Sequence, residues 1–202
     1  MAEWQSGSVG ANGVTIHYTR TGGNGPVVVL AHGVTDNGLC WSPLARELER
    51  DFDLIMVDAR GHGKSDGPEG SYGPDVQAED LAGLITALGL EQPAVLGHSM
   101  GAGTALVLAG KHPDLVGSIL LEDPPAWWTD WYETAEARDL VDGMRARALN
   151  YKTLSRDELL AAGREGHPAW SDAELEAWAG SKVDFSPNVL VVFEPSNRAN
   201  VD

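Results

Sequence analysis

A chain of 202 residues, 43% of them apolar, is long enough to bury one sizeable core. Its 30 acidic side chains against 14 basic ones give a formal charge of -16, which disfavours nucleic acid and anionic membrane as partners. The single cysteine, Cys40, excludes an internal disulfide and a thiolate cluster for zinc, and neither a metal nor another cofactor is expected.

The first ten residues, MAEWQSGSVG, hold no basic stretch followed by an apolar one. No apolar run approaches the roughly 18 residues of a membrane span, so the expectation is a soluble, cytoplasmic protein. Residues 13–19, GVTIHYT, alternate apolar and polar side chains as a half-buried strand does. PVVVLAHG (26–33) and FDLIMVDARG (52–61) are instead continuously apolar, which suits strands covered on both faces. Between them WSPLARELER (41–50) has helical spacing. The alternation returns with a helix over 75–90, a strand over 93–99, a helix over 100–111 and a strand over 115–125. Such a series predicts a mostly parallel sheet with helices on both faces.

After Pro125 the composition changes. Residues 126–185 contain no strand pattern but hold five of the seven tryptophans: Trp127, Trp128, Trp131, Trp170 and Trp178. Two S-x-x-E capping boxes, Ser155 with Glu158 and Ser171 with Glu174, mark helix starts, and three or four short helices are expected. In the tail, 186–202, residues 189–193 form one candidate strand. The division is a core over 1–125, a helical insertion over 126–185 and a C-terminal tail.

Three stretches carry chemistry. VLGHSMGAG places Ser99 in a G-x-S-x-G pattern between a strand and a helix, where small neighbours permit the sharp turn a nucleophilic serine needs. The Met100 N–H then lies at the start of the next helix, suited to a developing oxyanion. LAHGVTDNG ends a strand in His32-Gly33. Beside Ser99 it offers the Val34 N–H as a second donor, and taken alone it is an ordinary turn capped by Asp36 or Asn37. DARGHGKSDGP (58–68) reads as structural, with Arg60, His62 and Asp66 hydrogen-bonding the loop backbone.

In this order the three stretches resemble the α/β-hydrolase superfamily, and within it the serine hydrolases whose helical lid follows the sixth strand. The resemblance runs from about Val14 to Pro125. HGVTDNG matches the oxyanion loop, GHSMG the nucleophile elbow and LLEDPP the end of the sixth strand. It implies the α/β-hydrolase fold and an acyl-enzyme on Ser99. Serine at the elbow differs from the aspartate usual in haloalkane dehalogenases and epoxide hydrolases. Esterases, lactonases, carbon–carbon bond hydrolases and cofactor-free perhydrolases remain similar.

Family members continue with a seventh and an eighth strand, bearing the usual acid and histidine, and this sequence departs from that pattern. It reads as truncated before both strands, although the candidate strand over 189–193 imitates the seventh with Glu194 near its end. Of the six histidines, His98 points away from Ser99 by strand alternation, His32 and His62 sit in structural loops, His17 lies on an early strand and His112 ends a helix. Only His167 belongs to a segment that can fold over the site, which makes it the candidate base. Asp123, at the end of the sixth strand, is the candidate acid, with Glu194 as the alternative and a capped turn as Asp123's other reading.

Trp127 and Trp128 are the candidate walls of an apolar acyl pocket, with the lid's own core as the other use of its tryptophans. The expected function is hydrolysis of a small, uncharged, ester-like substrate, weak or partner-dependent for want of the histidine. The alternative is a non-catalytic hydrolase scaffold that binds ligand or self-associates. A sheet ending at its sixth strand exposes an edge, so a homo-oligomer is expected.

Overall fold

The computed structural model describes residues 4–125 and 129–194. Six strands form one sheet in the order β1-β2-β4-β3-β5-β6. β1 (Gln5–Ala11) and β2 (Val14–Arg20) make an antiparallel hairpin, and β2 also pairs antiparallel with β4 (Asp53–Val57). From β4 onward the sheet is parallel, through β3 (Val27–Ala31), β5 (Ala94–His98) and β6 (Ser118–Glu122).

The continuous apolar runs are explained by two cores. Val29, Ala31, Ile55 and Val57 face α2 (Pro74–Ala87) and α3 (Met100–Lys111), packing with Leu84, Ile85 and Leu108. Leu30, Leu54 and Met56 point the other way, onto Ala45 of α1 (Ser42–Leu48). Alternate residues of one strand thus serve opposite faces, and every position must be apolar.

β3 and β5 are neighbours although β4 intervenes in sequence, so the chain reverses its direction of winding between them. At such a switch point the loops after two adjacent strands diverge and leave a crevice. The loop after β3 and the turn after β5, both singled out by sequence, therefore lie side by side.

The helical segment after β6 has a 3₁₀ turn at Asp130–Glu133 and helices α4 (Ala135–Tyr151), α5 (Arg156–Gly166) and α6 (Asp172–Asp184). Both expected capping boxes are formed, each serine hydroxyl accepting its glutamate's backbone N–H while that glutamate accepts the serine N–H. An Arg156–Glu176 ion pair ties α5 to α6. Lys182 of α6, only 3% exposed, anchors this helix to the loop after β3 by donating to Thr35 O at 3.1 Å and Asp36 Oδ1 at 2.5 Å.

The tail differs from expectation. Pro187–Phe193 forms 3₁₀ turns rather than a strand, with Ser186 Oγ accepting the Asn188 N–H. Proline opens a helical turn easily, and these residues find burial by packing on Tyr72, Phe185 and Ala148 instead of joining the sheet. Among the described residues β6 is an edge strand, with β1 at the opposite edge, and its Leu120 is 51% and Leu121 37% exposed. No helix among the described residues is long and apolar enough to cross a membrane.

Candidate active site

Ser99 sits between β5 and α3 with φ +49° and ψ -111°, a conformation that side chains rarely adopt. The turn is held by the Ser99 N–H donating to Glu122 O at 2.9 Å and the Gly101 N–H to His32 O at 3.1 Å. Its tightness dictates both glycines. A side chain at Gly97 would run into the Gly101 carbonyl, and one at Gly101 into the carbonyl of Ala31.

Ser99, Met100 and Val34 line one cavity of about 90 Å³. Among the described residues the N–H groups of Val34 and Met100 have no hydrogen-bond partner, whereas their neighbours' are engaged. Thr35 N–H donates to His62 Nε2 at 3.3 Å, and Asp36 N–H to Gly33 O at 3.1 Å. Met100 opens α3, so its N–H also lies at the positive end of a helix. The rest of the lining is apolar apart from Gln77. Pro74 comes from α2, Pro125 follows β6, Val141 and Met144 come from α4, and Val192 and Phe193 from the tail.

The other predicted residues among those described do not line this cavity, and among the described residues no titratable side chain does. His167 is exposed at the C-terminal cap of α5 and stacks on Trp170, ring centroids 3.8 Å apart. Trp170 and Trp178 line a separate cavity of about 410 Å³ with His98, Glu122 and Trp41, and Ser99 does not contribute to it. Strand alternation sends His98 there, away from Ser99. Asp123 is exposed directly after β6 with φ +47°, and Glu194 caps the tail turn. Trp127 and Trp128 fall outside the described residues, and Trp131 is 43% exposed.

The loop after β4 does its structural work through partners beyond its own backbone. Arg60 pairs with Asp80 of α2, Nε–Oδ2 and Nη2–Oδ1 both at 2.5 Å, and Asp66 accepts the Thr15 N–H of β2 at 2.7 Å. His62 does bond the loop, its Nδ1 lying 2.8 Å from Arg60 O. His32 and His62 are buried and meet edge to face at 4.9 Å. Each accepts a backbone N–H at Nε2, from Ala59 and Thr35 respectively. Burial holds both imidazoles below the usual histidine range, and His62, with His32 beside it, well below.

Sequence reasoning missed Gln77, Val141, Met144, Val192 and Phe193. The one signal for them was the 3-residue spacing of Val141 and Met144 on a helix, which puts both on one face without saying what that face covers.

The family model described as the alpha/beta hydrolase fold matches residues 26–178. N-formylmaleamate deformylase of Pseudomonas putida is 34% identical over 206 residues, covering 94% of this chain and 75% of that protein. 2-(Acetamidomethylene)succinate hydrolase of Mesorhizobium japonicum is 38% identical over 146 residues, 72% of this chain and about half (51%) of the relative. The crystal structure of E-2-(acetamidomethylene)succinate hydrolase matches with a TM-score of 0.77 at 28% identity, over 93% of this chain and 71% of that one. The strand order, the serine turn after β5 and these similarities lead to one conclusion: the chain belongs to the α/β-hydrolase family, among relatives that are hydrolases.

Proposed function

We propose that this chain is a serine hydrolase acting on a small ester-like substrate through an acyl-enzyme on Ser99. The observation that supports the reading is that a strained serine and two residues whose N–H groups have no partner among the described residues, Val34 and Met100, line one largely apolar cavity. Ser99 Oγ attacks the carbonyl carbon, the two amides stabilise the oxyanion, the alcohol leaves with a proton, and water releases the acid. A space of about 90 Å³ favours a short acyl group. Asp123 is the acid of this reading, supported by its place one residue past Glu122, whose carbonyl accepts the Ser99 N–H.

The base comes from outside the described lining. The exposed β6 edge supports a second copy of the chain as its source, because edge pairing brings a neighbouring surface to the strand that ends beside Ser99. His167 is then the imidazole to test, offered across the interface rather than within one chain.

A second substrate reading, cleavage of an N-acyl bond in a carboxylate, is favoured by Arg147. Arg147 lines a space of about 140 Å³ that shares Val34, Met144 and Phe193 with the Ser99 cavity, so a cation stands next to it. The two relatives just described are named for N-formyl and acetamido acids.

Hydrolysis of p-nitrophenyl acetate by the purified chain, Ser99→Ala and His167→Ala, over a range of protein concentrations, tests the reading. Loss of activity in Ser99→Ala is expected, with specific activity rising with concentration. Equal inertness of the wild type and Ser99→Ala favours a non-catalytic scaffold instead.

A further inference from the structure

We propose that the chain carries a second nucleophilic serine, Ser6, activated by His17 and Asp58. Ser6 Oγ lies 2.6 Å from His17 Nε2, and His17 Nδ1 lies 2.8 Å from Asp58 Oδ2. Nucleophile, base and orienting carboxylate are thus joined in the order that activates a serine. None of the three lines the Ser99 cavity.

The fold fixes this arrangement. Ser8 is opposite His17 in the β1–β2 register, so Ser8, His17 and Ser6, two residues along β1, share one sheet face. Antiparallel pairing of β2 with β4 brings the end of β4, and Asp58 after it, beside His17. The Asp58 N–H donates to His17 O at 2.9 Å, the His17 N–H to Ser65 Oγ at 2.8 Å, and the Ser65 hydroxyl to Asp58 O at 2.6 Å. Base and carboxylate are held by the backbone as well as by their own contact.

The proton positions follow from the acceptor count. Asp58 Oδ1 accepts the Gly38 N–H at 2.8 Å and Oδ2 the Lys64 N–H at 3.0 Å, so the carboxylate is surrounded by donors. His17 must therefore present Nδ1–H to Asp58, which leaves the Nε2 lone pair facing the Ser6 hydroxyl. His17 is 8% and Asp58 5% exposed, whereas Ser6 is at the surface. A buried base with an exposed nucleophile leaves the reacting oxygen open to an electrophile.

No cavity among those described includes Ser6, so the reactivity is limited to electrophiles with a good leaving group. The chemical class is an activated carboxylic ester or its phosphorus counterpart. With an ester, the Oγ–acyl bond forms, the carbon–oxygen bond to the leaving group breaks, and the serine proton passes to His17 Nε2 and then to the departing alkoxide.

The test uses Ser99→Ala protein, which removes the elbow serine and makes the outcome independent of whether Ser99 is active. Treatment with diisopropyl fluorophosphate, followed by intact mass and peptide mapping, reads the site: the Oγ–P bond forms, P–F breaks and fluoride leaves. A single adduct on Ser6 is expected, absent in Ser6→Ala/Ser99→Ala. Ser8, exposed on the same strand and opposite His17 but not hydrogen-bonded to its imidazole, serves as the control and should label at least about tenfold more slowly. His17→Gln in the Ser99→Ala protein should lose the adduct while keeping its far-ultraviolet circular dichroism. If that variant does not fold, the Ser6 to Ser8 rate ratio decides. No adduct on Ser99→Ala protein, or equal labelling of Ser6 and Ser8, overturns the proposal.

Discussion

Replacing Ser99 by glycine should stabilise the protein, and replacing it by alanine should not. Ser99 is held at φ +49° and ψ -111°, a backbone state that costs a residue with a Cβ about 1–3 kcal/mol and costs glycine little. The Ser99 side chain makes no capping hydrogen bond to α3 and faces a cavity, so its removal sacrifices no fold contact of that kind. Glycine's greater freedom in the unfolded chain offsets about 0.5–1 kcal/mol. The net gain is about 1 kcal/mol, which for a chain of this size raises Tm by about 2–4 °C. Alanine retains the Cβ and hence the strain. Thermal and urea unfolding of the two variants beside wild type supply the comparison, with alanine isolating loss of the hydroxyl. If Ser99→Gly is no more stable than Ser99→Ala, strain is not stored at the turn and the functional reading loses that support.

Three further outcomes are expected. Lys182→Met should destabilise by about 2–4 kcal/mol, below the roughly 3–5 kcal/mol for a fully buried ion pair because Asp36 keeps some contact with solvent, as Asp36 and Thr35 O lose their α6 partner. Asp36→Asn in that background should recover part of the loss in urea unfolding. Arg60→Met should cost about 3–5 kcal/mol by stranding Asp80, whose carboxyl burial already pushes up in pKa, and the double change Arg60→Met/Asp80→Leu should cost less. His32 and His62 are buried below the usual histidine pKa, so the unfolded chain binds protons that the folded one refuses. Their contribution is complete above about pH 6.5 and falls below it, by up to about 1.4 kcal/mol per pH unit for each histidine until its folded pKa is reached. Urea midpoints measured from pH 7.5 to 5 check the direction, and a midpoint that does not fall below pH 6.5 refutes it.

Features of this protein whose causes are local were legible in its residues. Continuous apolar runs marked β3 and β4 because every residue there faces one of two cores, and S-x-x-E placed the starts of α5 and α6 because a capping box is closed within four residues. The glycines around Ser99 were legible for the same reason, since the carbonyl beside Gly97 belongs to the same turn. What meets Ser99 is set by long-range packing. Gln77, Met144 and Phe193 reach its cavity from α2, α4 and the tail, and no periodicity encodes which faces of separate elements converge. The apolar run at 189–193 was ambiguous on its own, because burial can be satisfied by a strand or by a 3₁₀ turn packed on Tyr72. His167 belongs to the segment after β6 but stacks on Trp170 and does not line the Ser99 cavity. Ser6, His17 and Asp58 lie up to 52 positions apart in sequence, and strand register alone brings them into contact. Local spacing fixes what each segment can become, and long-range packing fixes which side chains touch.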